Sequence, residues 1–218
     1  MSVTQFKAIF FDMDGLLVDT EPLYLKATQE ILATIGIALT KDWYVRENLG
    51  KGTSSFELAK ERGLPDNTIK ELRQQRNEKY DQLLKGGVQP LDGVPGFLEW
   101  AQGKFVMGIV TSSHRDHFET IMRQTGLRKF FSFFITGDDV ENVKPDPEPY
   151  LKAVGLSGHP KEHCLVLEDS YRGLQAAKAA GLTCYAIPDA LTKVQNFSIA
   201  DKVLGNIREL PEWLGAEI

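Results

Sequence analysis

Apolar runs of strand length recur along the chain: AIFF at 8–11, FVMGIV at 105–110, FSFFIT at 131–136, CLVLE at 164–168 and CYAI at 184–187. Several are continuously apolar rather than alternating, the pattern of strands buried on both faces of a parallel sheet. Helical patterns separate them. Phe118, Ile121 and Met122 form an apolar stripe that Gly126 closes. Asp146 is placed to cap a helix with Pro147 at its first position and Gly155 just past its end. SYRGLQAAKAAG, 170–181, reads as a helix stopped by Gly181. Strand–helix alternation of this kind predicts an α/β doubly wound parallel sheet.

Residues 20 to 87 break that rhythm and read as all-helical. TEPLYLKATQEILATIG has Pro22 in its first turn and carries Leu23, Ala27, Ile31 and Ile35 at fourfold spacing. Ser54-Ser55-Phe56-Glu57 and Thr68-Ile69-Lys70-Glu71 both match a capping box. The expectation is a core domain of residues 1–18 and 88–218 with an inserted α-helical domain, 19–87. The stretch KGGVQPLDG is a plausible hinge back.

Composition narrows the function. The 218 residues are 42% hydrophobic and 25% charged, ordinary for a globular protein with a real core. The net charge is −5 and no Lys/Arg block appears, which argues against nucleic-acid or membrane-surface binding. An anionic substrate therefore needs a local positive site. Cys164 and Cys184 lie in apolar runs without metal or redox spacing and read as buried thiols. MSVTQFK has no long apolar stretch, so no signal peptide is expected, and no run reaches the about 20 residues of a membrane span. A cytoplasmic location follows by default, and no obligate protein partner is evident.

Open α/β sheets carry their sites at the carboxyl ends of the strands. Asp12 and Asp14 follow the first run, Thr111, Ser112 and Ser113 the second, Lys144 the third, and Glu168 and Asp169 the fourth. Four carboxylates packed together repel unless a cation joins them, and hard oxygen ligands in that number suit Mg²⁺. A helix opened by Thr111-Ser112-Ser113 would offer hydroxyl and N–H donors and a positive dipole end to phosphate. Lys144 adds a point charge. The set reads as phosphoryl transfer, with one aspartate as nucleophile and the other, two residues on, as general acid and base.

In order and spacing, FFDMDGLLVDTE, VTSS, VKPDP and LEDSYRG resemble the four motifs of the haloacid dehalogenase (HAD) superfamily, over essentially the whole chain. The resemblance implies that Asp12 is nucleophile and Mg²⁺ ligand, and that Asp14 is the general acid/base and lends its backbone carbonyl to Mg²⁺. It implies that Thr111 and Ser112 bind phosphate, that Lys144 neutralises nucleophile and phosphate, and that Glu168 and Asp169 hold the metal. The helical insert looks like the family's mobile cap. Dehalogenases of the superfamily need no Mg²⁺ and lack the second aspartate, so Asp14 and the acidic pair point away from them.

DGLLVDTE and LEDS-x-RG are of the β-phosphoglucomutase type. Two departures count against a mutase: Tyr24 stands where that branch has a histidine, and GKGTSSF lacks the arginine its cap typically carries. The reading is a Mg²⁺-dependent phosphatase acting on a small phosphorylated metabolite such as a sugar, polyol or nucleoside phosphate. A phosphomutase is the same-fold alternative, and a non-enzymatic HAD-like binding protein the alternative of another class. Ser113 fits two roles, a cap with Asp116 three positions on or a substrate contact. Lys51 reads as a substrate contact or a plain loop lysine, and Asp19 and Thr20 as residues of the insert's hinge. His114 and His117, one helical turn apart with no partner for a zinc set, read as a solvated helix face.

Overall fold

The computed structural model describes residues 6–215; most of the opening MSVTQFK lies outside them. Along the chain come β1 (Ala8–Phe11), α1 (Glu21–Ala33), and α2 (Lys41–Trp43) running into a π-helical turn, Tyr44–Leu49. α3 (Glu57–Glu61), α4 (Asp66–Leu84), α5 (Val94–Ala101), β2 (Val106–Val110) and α6 (Arg115–Thr125) follow. The last part holds β3 (Phe133–Ile135), α7 (Glu148–Ser157), β4 (Cys164–Glu168), α8 (Tyr171–Ala179), β5 (Thr183–Ala186), β6 (Lys202–Val203) and α9 (Leu210–Trp213).

The strands form one parallel sheet in the order β3-β2-β1-β4-β5-β6. β1 is central: Phe10 pairs with Gly108 of β2 on one side and Val166 of β4 on the other. The chain moves outward from β1 to β3, then crosses back to β4. That reversal beside β1 is the topological switch point where such sheets bind ligands.

Both faces of the sheet are covered, which is why the strand runs are unbroken in hydrophobicity. Ile9 and Phe11 pack with Leu98, Ile109 and Phe118 under α5 and α6. Ala8 and Phe10 point the other way, toward Tyr150, Leu174 and Ala177 of α7 and α8. Gly108 leaves room for the Phe133 ring, whose nearest atoms lie 2.2 Å from where a Cβ would sit. Cys164 and Cys184 are buried free thiols.

Helices α1 to α4 fill the region between β1 and α5. They share a separate apolar cluster that includes Leu25, Leu32, Tyr44, Phe56, Ile69 and Leu72. Ala27, Tyr80 and Leu84 join the main core instead, so α1 and α4 touch both. The two chain crossings into this region meet at Val18, which bridges to Asp14 and to Pro90. Leu91 N–H also donates to the Leu17 carbonyl at 2.9 Å.

Several local expectations shift. β1 ends at Phe11, so Asp12 and Asp14 sit in the turn beyond it rather than alternating within a strand. α7 runs through Gly155 and ends at Gly158, whose φ of +71° suits only a residue without a Cβ. Asp146 accepts from Glu148 N–H, and Pro147 is the flanking residue. Thr68 lies inside α4, which begins at Asp66 directly after the extended Pro65. The Ser54 hydroxyl accepts from Phe56 N–H, and Glu57 N–H goes to the Ser54 carbonyl instead. The α1 residues buried most deeply are Leu25, Ala27, Thr28 and Leu32, because the helix is flanked on more than one side. β6 and α9 are too short to announce themselves by periodicity.

The two-sided core makes Phe118, fully buried under the sheet, a sensitive position. Phe118→Ala is expected to cost about 3–5 kcal/mol in urea unfolding, while Glu119→Ala on the same helix changes stability by roughly 0.5 kcal/mol or less.

Candidate active site

With Glu168 buried behind Lys144, the other strand-end residues line one cavity of about 550 Å³ between the sheet edge and the helical insert. At its base Lys144, 3% exposed, makes three short contacts: 2.6 Å to Asp12 Oδ1, 2.6 Å to Glu168 Oε1 and 2.7 Å to the Val110 carbonyl. Glu168 is wholly buried and also accepts from Tyr150 Oη at 2.6 Å and Ser170 Oγ at 3.2 Å. Asp12 backbone N–H donates to the Leu167 carbonyl at 3.0 Å, which ties the turn after β1 to β4.

Asp14 faces a different set. Its Oδ1 accepts from Thr20 Oγ1 at 2.5 Å, and its Oδ2 from Ser113 Oγ at 2.7 Å and Thr111 Oγ1 at 3.2 Å. Thr111 Oγ1 in turn accepts from Ser113 N–H at 3.0 Å. Ser112 Oγ is buried on the cavity wall without a partner among the described residues.

Thr111, Ser112 and Ser113 form a loop rather than the first turn of a helix, since α6 begins at Arg115. Its end is capped from elsewhere: Asp138 accepts from Arg115 N–H at 2.7 Å and lies 3.0 Å from His114 Nδ1. The dipole end thus already faces a carboxylate, and Ser113 serves Asp14 instead of capping with Asp116.

Asp12, Glu168 and Asp169 offer carboxylate oxygens that all lie within 4.8 Å of one another, and all three are buried. One buried ammonium faces them. Burial, more than repulsion from Glu168 and Asp14, pushes the Asp12 carboxyl up to about 8 despite Lys144. Burial and then Asp12 push Asp169 well above its ordinary value. Burial pulls the Lys144 ammonium down, but Asp12 and Glu168 more than offset it and hold it above normal. The donor set is short of positive charge and consists of hard oxygens, so it fits a small divalent cation.

Two glycines make this packing feasible. Gly15, at φ +85°, turns the chain so that Asp169 Oδ2 lies 2.4 Å from where a Cβ would be. Gly173, in the first turn of α8, gives its side-chain space to the Glu168 carboxylate, 1.9 Å away.

The insert supplies walls that motif reading missed: Glu21, Tyr44, Ser55, Arg73 and Arg76, with Arg172 of α8 opposite. Tyr44 Oη donates to Glu21 at 2.8 Å, and burial, then Asp14, pushes Glu21 up to about 7. Arg172 stands in the LEDSYRG motif, a signal that position alone did not decode. Lys51 pairs with Glu47 and does not line the cavity; Gly52 beside it does, against Arg172. The expected solvated face of α6 is only half so. His117 is buried, 3.4 Å from Asp81 and edge-on to the Tyr80 ring, and burial holds it below its ordinary value.

With this geometry in view, residues 9–187 match the haloacid dehalogenase-like hydrolase family. The chain belongs to that family, among its HAD-type phosphatases. It is 32% identical over 184 residues to a phosphorylated carbohydrates phosphatase of Thermotoga maritima, covering 81% of this chain and 82% of that one. It is 30% identical over 181 residues to the fructose-1-phosphate phosphatase YqaB of Escherichia coli, covering 82% and 94%. Its fold is similar to that of Rhodobacter sphaeroides CbbY in complex with xylulose-(1,5)bisphosphate, with a TM-score of 0.81, 27% identity, and coverage of 94% and 96%. No helix among the described residues is long and apolar enough to cross a membrane.

The Gly173 contact is testable. Alanine in an exposed helix gains about 1 kcal/mol over glycine. Gly173→Ala is instead expected to displace the Glu168 carboxylate and lower thermal stability, read by melting.

Proposed function

We propose that the protein is a Mg²⁺-dependent phosphatase that hydrolyses a small phosphate monoester, most simply a phosphorylated sugar, through a phosphorylated Asp12. The observation that carries this reading is Lys144 held between Asp12 and Glu168, with Asp14 positioned separately by three hydroxyls. That division gives the two aspartates different tasks. The relatives that act on phosphorylated carbohydrates support the substrate class.

Asp12, Glu168 and Asp169 would hold Mg²⁺, with the Asp14 backbone carbonyl as a further ligand. When bound, the ion supplies positive charge that keeps the carboxylates ionised and balances the phosphate oxygens. The ionised Asp12 oxygen attacks phosphorus, and the bond from phosphorus to the ester oxygen breaks. The Asp14 carboxyl gives its proton to the departing alkoxide. It then takes a proton from the water that attacks the aspartyl phosphate, which releases inorganic phosphate and restores Asp12. Lys144 holds Asp12 in place and balances charge on the transferred group. The Thr111 hydroxyl and the Ser112 backbone N–H, with Ser113 beside them, cradle its oxygens.

Residues 19–87 act in this reading as a cap over a core of residues 1–18 and 88–218. It closes about hinges near 20 and 87 and excludes water. A phosphomutase would share the first half-reaction, so a test must follow isomerisation as well as release. A binding protein would be expected to lack a nucleophile, lysine or metal acid, and none is missing.

Phosphate release from a panel of sugar phosphates, with glucose 6-phosphate formation from β-glucose 1-phosphate followed alongside, tests the reading. Asp12→Asn is expected to fold normally and lose about three orders of magnitude or more in turnover. Near-normal release in that variant would sink the nucleophile, and isomerisation with little release would favour the mutase.

The metal makes a separate pH prediction. Asp12, raised to about 8, keeps its proton in the metal-free fold where the unfolded chain has lost it. Metal-free stability therefore falls as pH rises through that window. Mg²⁺ needs ionised ligands, so its stabilisation grows over the same range. The rise in Tm on adding Mg²⁺ is expected to be larger at about pH 8 than at about pH 5.5. Equal shifts would remove Asp12 from the metal.

A further inference from the structure

The insert's wall of the cavity carries two arginines beside Glu21. Arg76 projects from α4 with its guanidinium carbon 4.2 Å from the Tyr24 ring centroid and 5.7 Å from that of Phe56. Its Nε donates to Asn77 Oδ1 at 2.9 Å. Arg73, one turn earlier, lies over Phe56 at 5.8 Å and donates to Ser54 Oγ at 3.2 Å. Among the described residues neither arginine forms an ion pair with a carboxylate, whereas other arginines of the chain do.

A second observation points to a ligand there. Ser55, between Ser54 and Phe56, lines the same cavity, is 3% exposed, and its hydroxyl has no partner among the described residues. A buried hydroxyl left unsatisfied is costly unless a ligand completes it. A guanidinium stacked on an aromatic ring keeps its planar fork pre-organised for an oxyanion. The two departures from the mutase pattern also become one feature. Tyr24, in place of histidine, is the platform for Arg76, and Arg73 and Arg76 reach from α4 to the loop that lacks an arginine of its own.

Resting on the phosphatase reading, we propose that the substrate carries a second anionic group, phosphate or carboxylate, at the end away from the scissile ester, and that Arg76, Arg73 and Ser55 bind it. The cavity volume of about 550 Å³ accommodates a sugar-sized ester spanning both walls. The acidic residues at the base, Asp12, Asp14 and Asp169, would repel this second group, so the arrangement also orients the substrate. Arg76 is the principal determinant because it is half-buried and fixed by the ring, while Arg73 sits at the exposed lip.

The test compares two pairs of esters: fructose 1,6-bisphosphate with fructose 1-phosphate, and 6-phosphogluconate with glucose 6-phosphate. In wild type, kcat/KM is expected to favour the acidic member of at least one pair about tenfold or more, chiefly through KM. Arg76→Met is expected to collapse that ratio, and Arg76→Lys, which keeps charge but not the stacked fork, to recover it in part. Preference within the first pair alone identifies the second group as phosphate, within the second pair alone as carboxylate. The same ratios are measured as affinities by calorimetry on Asp12→Asn. Retained affinity ratios without hydrolysis would overturn the phosphatase and keep this inference. Hydrolysis with ratios near one, or ratios unchanged in Arg76→Met, would overturn the inference and keep the phosphatase. Neither hydrolysis nor binding of any ester would overturn both.

Discussion

One ammonium among buried carboxylates sets the terms for the whole site. Lys144 reaches Asp12 of the turn after β1 and Glu168 of β4, and also closes on the Val110 carbonyl at the end of β2. It thereby fastens the carboxyl ends of three adjacent strands. Removing one partner of such a buried pair costs about 3–5 kcal/mol, because the remaining charge is left uncompensated. The catalytic arrangement and the order of the sheet edge thus depend on the same contacts. Tyr150, bonded to Glu168 and fully buried in the second apolar cluster, links that polar knot to the packing of α7.

The knot has more negative than positive charge, and the rest of the cavity is arranged around that fact. Hydroxyls rather than cations address Asp14, so it is oriented without another ion pair. Other cationic side chains line the same cavity from α4 and α8. Nearby groups bear the same stress: burial and Asp14 raise Glu21, which a Tyr44 hydrogen bond partly relieves.

Much of the fold could be read from hydrophobic runs because the central strands β1, β2 and β4 are buried on both faces. The candidate site residues could be picked out where they follow those runs closely: Asp12, Asp14, Thr111, Glu168 and Asp169 sit at or just past strand ends, while Lys144 lies in the segment between β3 and α7. What stayed hidden depends on tertiary contact. RQQRNEK, at 73–79, has the polarity of a solvated helix; only the packing of α4 on α1, which brings Tyr24 under Arg76, turns it toward the cavity. Helix ends misled for a related reason. Gly155 and Gly158 are equivalent as letters, and only backbone conformation separates the interior glycine from the terminating one. Ser113 matched a cap on spacing, but its hydroxyl donates to the Asp14 carboxylate and Asp138 takes the helix end.

The neck at Val18 has a mechanical consequence. Val18 bridges Asp14 on one side and Pro90 on the other, so both chain crossings pass through a pivot one residue wide. α4 extends from that region for 19 residues, which makes a lever about 28 Å long. A tilt of about 10° at the pivot would swing its far end by about 5 Å, given that length. Asp14, beside the fulcrum, would scarcely move. That geometry would let the α4 wall travel while Asp14 keeps its alignment with the base of the site.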